Sequence, residues 1–264
     1  MSEYLQIAID AARDAGRFLV ESVGKVKQIE TKKGEIRNLV SEIDRGAEEM
    51  IIRRIRERFP RHEFLAEESG GGLGPAGFRW IIDPLDGTTN FLHAVPIFSV
   101  TLALERNGEV VTGVTYDPNR DELFTAEKGS GAFLNGERLR VTSQADLIQS
   151  LLVTGFPYDI AGNPDHPAEH FTNFLHASQG IRRLGSAALD LAYVAAGRFD
   201  GFYEVALQPW DMAAGRLMVE EAGGTVSDFH GNPSSIYVKQ IVASNGSIHA
   251  GMLRVLAAAS PSSE

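Results

Sequence analysis

The apolar run Phe78-Arg79-Trp80-Ile81-Ile82 passes without a break into Asp83-Pro84-Leu85-Asp86-Gly87-Thr88-Thr89-Asn90. The run reads as a strand, so two carboxylates fall where it gives out, the end at which open α/β sheets assemble ligand sites. Pro84 fixes its own φ and biases Asp83 to an extended backbone, letting the chain bend with both carboxylates and the Leu85 carbonyl facing one point. An all-oxygen set of this kind selects Mg2+, Mn2+ or Ca2+ over softer metals. Gly87 to Asn90 then offer a permissive backbone, two hydroxyls and amides that cradle an anion if a helix starts there. Carboxylates and an anion cradle repel one another without a cation between them, so their adjacency points to a metal-bridged phosphate. In isolation the same residues also make an ordinary Asx-type turn.

The rest of the chain supplies a frame and further acids. Leu5, Ala8, Ile9, Ala12, Gly16, Leu19 and Val23 recur at helical spacing and predict a helix over 3–23. Ile43, Ala47, Met50, Ile51 and Ile55 predict a second, with Ser41 as N-cap, Phe59-Pro60 as its stop and Asp44 in the first turn. Phe64-Leu65-Ala66 reads as a strand that runs into Glu67 and Glu68, and a glycine-rich connector, Gly70 to Gly77, follows. Asn107-Gly108 and Asn135-Gly136 predict two hairpins, the first joining Ser99–Glu105 to Glu109–Tyr116. Beyond residue 145 strands are expected at 151–154, 199–204, 225–227 and 241–243. Helices are expected at 166–177, 186–196, 212–222 and 247–258. One domain over 1–264, built of two interlocked α/β halves of about 1–145 and 146–264, fits this order. Taken singly, Asp44 reads as a first-turn acid, Glu204 as an exposed strand terminus and Asp211 as the N-cap of a helix.

Composition excludes several classes. The absence of cysteine leaves no disulfide, thiolate-zinc site or thiol nucleophile, so any metal sits on oxygen or nitrogen. A net charge of -10 argues against a nucleic-acid or anionic-membrane surface. No apolar stretch approaches the roughly 18 residues of a membrane span and no leader is legible, which predicts a soluble, cytoplasmic chain. The histidines lack metal-ligand spacing, and His166 and His170 read as surface residues sharing a helix face.

Four segments, in order, resemble the inositol monophosphatase family of metal-dependent, often lithium-sensitive sugar phosphatases. They are Ala66-Glu67-Glu68-Ser69, which departs from the family's leading glycine; Asp83 to Phe91; Leu184-Gly185-Ser186-Ala187-Ala188; and Gln208 to Gly215. The resemblance spans most of the chain and implies a five-layer α/β/α/β/α sandwich, usually a homodimer. It implies that Glu67, Asp83, Asp86, Asp211 and the Leu85 carbonyl hold two or three Mg2+ ions, with Mn2+ as substitute. Gly87 and Thr88 would bind phosphate, and Thr88 paired with Asp44 would orient the attacking water beside Glu67. Glu204, Ala187 and Asp86 would face the substrate, with Lys33 on a loop near the metals. The implied reaction is release of phosphate from inositol 1-phosphate or a similar polyol or sugar phosphate monoester. Fructose 1,6-bisphosphate, met by Arg182, Arg183 or Lys33, is the rival substrate, and a non-catalytic regulatory or binding role is the rival class.

Overall fold

A computed structural model describes residues 1–31, 39–71, 77–160 and 163–258. The first helix, α1 (Glu3–Ser22), starts where the Ser2 hydroxyl accepts the Leu5 amide and buries Leu5, Ala8, Ile9, Ala12 and Leu19 on one face. A short antiparallel pair follows, β1 (Ile29–Thr31) with β2 (Leu39–Ser41). Next comes α2 (Glu42–Arg58), opened by a capping box in which the Ser41 hydroxyl accepts the Ile43 amide and the Asp44 carboxylate accepts the Ser41 amide. It stops at Phe59 as expected, because Pro60 disfavours a helical residue before it.

The larger sheet has seven strands in chain order: β3 (Glu63–Ala66), β4 (Phe78–Asp86), β5 (Ser99–Arg106), β6 (Glu109–Asp117), β7 (Glu122–Glu127), β8 (Gly131–Leu134) and β9 (Glu137–Arg138). Only the β3–β4 pair is parallel. Both expected hairpins form, with Asn107 at φ 54° and Gly108 at 83°, and Asn135 at 48° and Gly136 at 88°. After β4 comes the short helix α3 (Thr88–Leu92). The smaller sheet is built from β10 (Leu151–Thr154), β11 (Gly180–Arg182), β12 (Gly201–Val205), β13 (Thr225–Ser227) and β14 (Gln240–Ser244), in the order β11-β10-β12-β14-β13. Among the described residues four more helices follow: α4 (Pro167–Ala177), α5 (Ala187–Ala195), α6 (Pro209–Glu221) and α7 (His249–Ala257).

Side-chain alternation along the strands sets the layers. Trp80, Ile82, Val100, Leu102 and Leu104 bury against α1 and α2, while Ile81, Ala103, Phe124 and Ala126 point the other way, onto α5 and α6. The smaller sheet covers the far side of α5 and α6 with Val153, Phe202, Ile241 and Ala243, and its opposite face, with Leu152, Tyr203 and Val242, carries α4 and α7. The result is the α/β/α/β/α sandwich. Helices on both sides of each sheet explain why β4 reads as a continuous apolar run rather than an alternating one.

Several expectations need correction. The strand expected to end at Ile82 continues to Asp86, because β5 pairs with it across a bulge: Asp83 faces Thr101 and Asp86 faces Ser99, so three steps on one strand match two on the other. The segment 122–127, for which the sequence predicts no element, is β7. The helix expected from Met212 begins at Pro209, which is suited to a first helical position. His166 is not on the face of a helix: it precedes α4 in a left-handed conformation, and His170 is buried with its ring edge-on to Phe229 at 5.3 Å. Among the described residues no helix is long and apolar enough to cross a membrane.

Candidate active site

The bulge turns the carboxyl end of β4 toward α5 and α6. Asp83 is 2% exposed, and its Oδ1 accepts the Leu85 amide at 3.0 Å, so the Asx turn is real and coexists with the acidic cleft. Asp86 reaches the start of α5, where its Oδ2 accepts the Ser186 hydroxyl at 2.5 Å and the Ala188 amide at 2.9 Å; the Ala187 amide is a further donor. Ala187 is therefore at the cleft, at the first position of α5. Gly87 has φ 101°, and a Cβ there would stand 3.0 Å from the Ile97 carbonyl and 3.2 Å from that of Gly185. From that turn α3 begins, and its first amides have no acceptor within the helix.

Thr88 joins this strand to α2. Its hydroxyl lies 3.0 Å from Asp44 Oδ1 and 3.1 Å from the Leu85 carbonyl. Asp44, fully buried, also takes the Ser41 amide and hydroxyl on Oδ2 at 2.9 and 2.5 Å. Asp44 is thus a capping-box acid and a partner of Thr88 at once; the dipole role expected of it alone is only part of its work. Asp211 is the third residue of α6 rather than its N-cap, and its Oδ2 accepts the Gln208 amide at 2.7 Å. Glu204, read singly as an exposed terminus, is 8% exposed, since β12 is an interior strand and the carboxylate lies flat on Gly155. A Cβ on Gly155 would come within 2.2 Å of Glu204 Oε1. Lys33 lies outside the described residues.

These acids act on one another. Burial, then the charges of Glu67, Asp86 and Asp211, pushes the Asp83 carboxyl well above its ordinary range, and a hydrogen bond with Glu67 adds to the rise. Burial likewise dominates at Asp211, reinforced by Glu67, Asp86 and Glu204 and opposed by the Gln208 amide. Asp86 is raised to about 6, burial outweighing the Ser186 and Ala188 donors. Glu204 rises to about 8 by burial, with Arg183 opposing and Asp86 adding. Asp44 is raised by burial against the Ser41 and Thr88 hydrogen bonds. Asp190 on α5, missed in the sequence because it sits in an apolar helix, is raised by burial and then by Glu204 and Asp86, and its Oδ1 has no hydrogen-bond partner among the described residues.

Among the described residues no three Asp, Glu or His side chains are drawn in tightly enough to enclose an ion as they stand. The donor chemistry nevertheless fits a hard cation. Glu67, Asp83, Asp86 and Asp211 offer only oxygen, and the charges that act on Asp83, Asp86 and Asp211 are all negative. Buried carboxylates so placed either stay protonated or gain a cation from outside.

The fold and the cleft place the chain among layered α/β proteins with a carboxylate-lined site, and the comparisons make the assignment narrower. The profile of the Inositol monophosphatase family matches residues 1–261. The inositol-1-monophosphatase of Mesorhizobium japonicum is 44% identical over 256 residues, covering 97% of this chain and 96% of that protein. A protein of Pseudomonas aeruginosa named Nus factor SuhB is 45% identical, covering 93% and 92%. The crystal structure of the extragenic suppressor protein suhB from Bartonella henselae superposes with a TM-score of 0.90 at 46% identity, covering 97% of this chain and 98% of that one. The chain belongs to the inositol monophosphatase family. That membership supports a phosphatase role and a metal requirement of a kind general in the family.

Proposed function

We propose that the chain is a Mg2+-dependent phosphomonoester hydrolase acting on inositol 1-phosphate or a similar polyol or sugar phosphate. One observation carries the reading: burial and the charges of neighbouring carboxylates, Glu67 among them, raise Asp83, Asp86 and Asp211 together in a single cleft, beside a Thr88–Asp44 hydrogen bond. Those four carboxylates and the Leu85 carbonyl would hold Mg2+ or Mn2+, which supplies charge neutralisation and a lowered water pKa when bound.

The chain's own residues do the positioning. With its proton directed to Asp44 or the Leu85 carbonyl, the Thr88 oxygen has lone pairs left to accept an O–H and so orient a water molecule. Asp44, fixed by two Ser41 donors, keeps that direction constant. The amides of Gly87 and Thr88, at a turn with no competing intrahelical acceptor, suit the phosphate oxygens. Glu204, held against Gly155, and the start of α5 at Ala187 face the leaving alcohol. Asp86 anchors both sides, since the same carboxylate that belongs to the metal set takes donors from α5.

Fructose 1,6-bisphosphate is the second substrate reading, favoured by Arg183, whose charge acts on Glu204 and Asp190 at the substrate side. The homodimer implied by the resemblance belongs to the same proposal. A non-catalytic role is the alternative, because a relative of similar identity is named a Nus factor. Phosphate release from inositol 1-phosphate and from fructose 1,6-bisphosphate, measured with Mg2+ and again with chelator, separates these. Chelator-sensitive release, faster from the inositol ester, is expected; no release from either ester would overturn the catalytic reading.

A further inference from the structure

The turn that carries Glu67 is held by three successive amides. Glu67 N–H donates to the Ile82 carbonyl on β4 at 3.1 Å. Glu68 N–H and Ser69 N–H donate to the two carboxylate oxygens of Glu48, at 2.8 and 2.9 Å. Ala66 and Gly70 close the turn with reciprocal backbone bonds of 2.9 Å. Glu48 is 3% exposed and lies one helical turn beyond Asp44 on α2. A buried carboxylate that receives two charge-assisted amide bonds fixes the backbone it grips.

We infer that Glu48 is a positioning residue of the active site: it ties the Glu67 turn to the helix that carries Asp44, so that α2 sets a metal-facing acid and a water-orienting acid together. This rests on the metal reading given above. The Ile82 bond aligns Glu67 with β4, and hence with Asp83 and Asp86. The two Glu48 bonds fix the same turn against α2. An ordinary cap would matter only for stability, whereas a positioning residue changes how well the acids receive a cation.

Mn2+ binding measured by electron paramagnetic resonance, together with circular dichroism melting, tests this on the full chain. Glu48→Gln keeps the size and one acceptor oxygen but loses the charge and the second good acceptor. Its Mn2+ affinity is expected to fall about tenfold to a hundredfold, the usual cost of losing a partner behind a ligand. Excess Mn2+ should then restore most of the phosphate release. Glu48→Asp, which shortens the reach, should show the same shift, and serves if the glutamine variant does not fold. Glu49→Gln, on the exposed side of α2, should bind as the parent does. If folded Glu48→Gln or Glu48→Asp binds Mn2+ like the parent, even with a lowered melting point, the inference is overturned and the metal reading stands. A parent chain that binds no Mn2+ overturns both.

Discussion

Two buried groups of acids in this molecule are built in opposite ways. At the amino end of β4, Glu105 is 4% exposed and lies against Arg79, itself 7% exposed, whose Nη1 donates to Glu105 Oε2 at 3.2 Å and whose Nη2 reaches Glu63 at 3.3 Å. The Tyr237 hydroxyl donates to Glu105 at 2.9–3.0 Å and closes the group. At the other end of the same strand, Asp83 and Asp86 are as deeply buried, yet the charges acting on them are those of other carboxylates. The first group carries its own cation and so is a strut between the large sheet and the segment before β14. The second is open to a cation from solution, and in that sense chemically unfinished.

Asp83→Asn should produce the largest change. It removes the charge of a proposed metal ligand and should lower Mg2+-dependent phosphate release by about a thousandfold or more, while the melting point stays level or rises because one repelling acid is gone. Near-parental turnover in that variant would erase the distinction between the two groups. Arg79→Met attacks the other end. It strands Glu105 without its cation and should cost about 3–5 kcal/mol in urea denaturation, with turnover per folded molecule unchanged. Adding Glu105→Leu to that variant should recover most of the loss.

The third effect is a pH dependence of the open group. Asp86 and Glu204 are raised above ordinary carboxylates, to about 6 and about 8, so the fold favours their protonated forms. Their contribution to stability is present below the ordinary carboxylate range and is lost as pH rises through those two values. Melting of the chelated chain should therefore fall between about pH 5 and pH 9, at about 2–4 °C per kcal/mol lost. Saturating Mg2+ should flatten that fall; a flat curve without metal would show the acids do not repel.

Much of this was legible in the residues because local physics fixed it. The stripe of Leu5, Ala8, Ile9, Ala12 and Leu19 gave α1, and the Asn-Gly pairs gave both hairpins, since these signals depend only on near neighbours. The Asp83–Thr89 segment marked the candidate site for the same reason. Other features depended on distant partners. The extension of β4 to Asp86 needs Ser99 across the bulge, and the burial of His170 needs Phe229. Glu48 carries no signal of its own in the sequence, because nothing near it there reveals that Glu68 and Ser69 fold back onto it. Glu204 looked exposed because the strands flanking it, β10 and β14, lie far from it in the chain.

The grip of Asp86 on Ser186 and Ala188 spans 100 and 102 residues. Synthesis proceeds at about 5–20 residues per second, so roughly 5–20 seconds separate the appearance of Asp86 from that of its donors. During that interval Asp44, Glu67 and Thr88 already exist, but Asp211 and α5 do not. The clock of translation therefore orders the events: the acidic face is made first and completed last, and the proposed catalytic site is whole only when nearly all of the chain has left the ribosome.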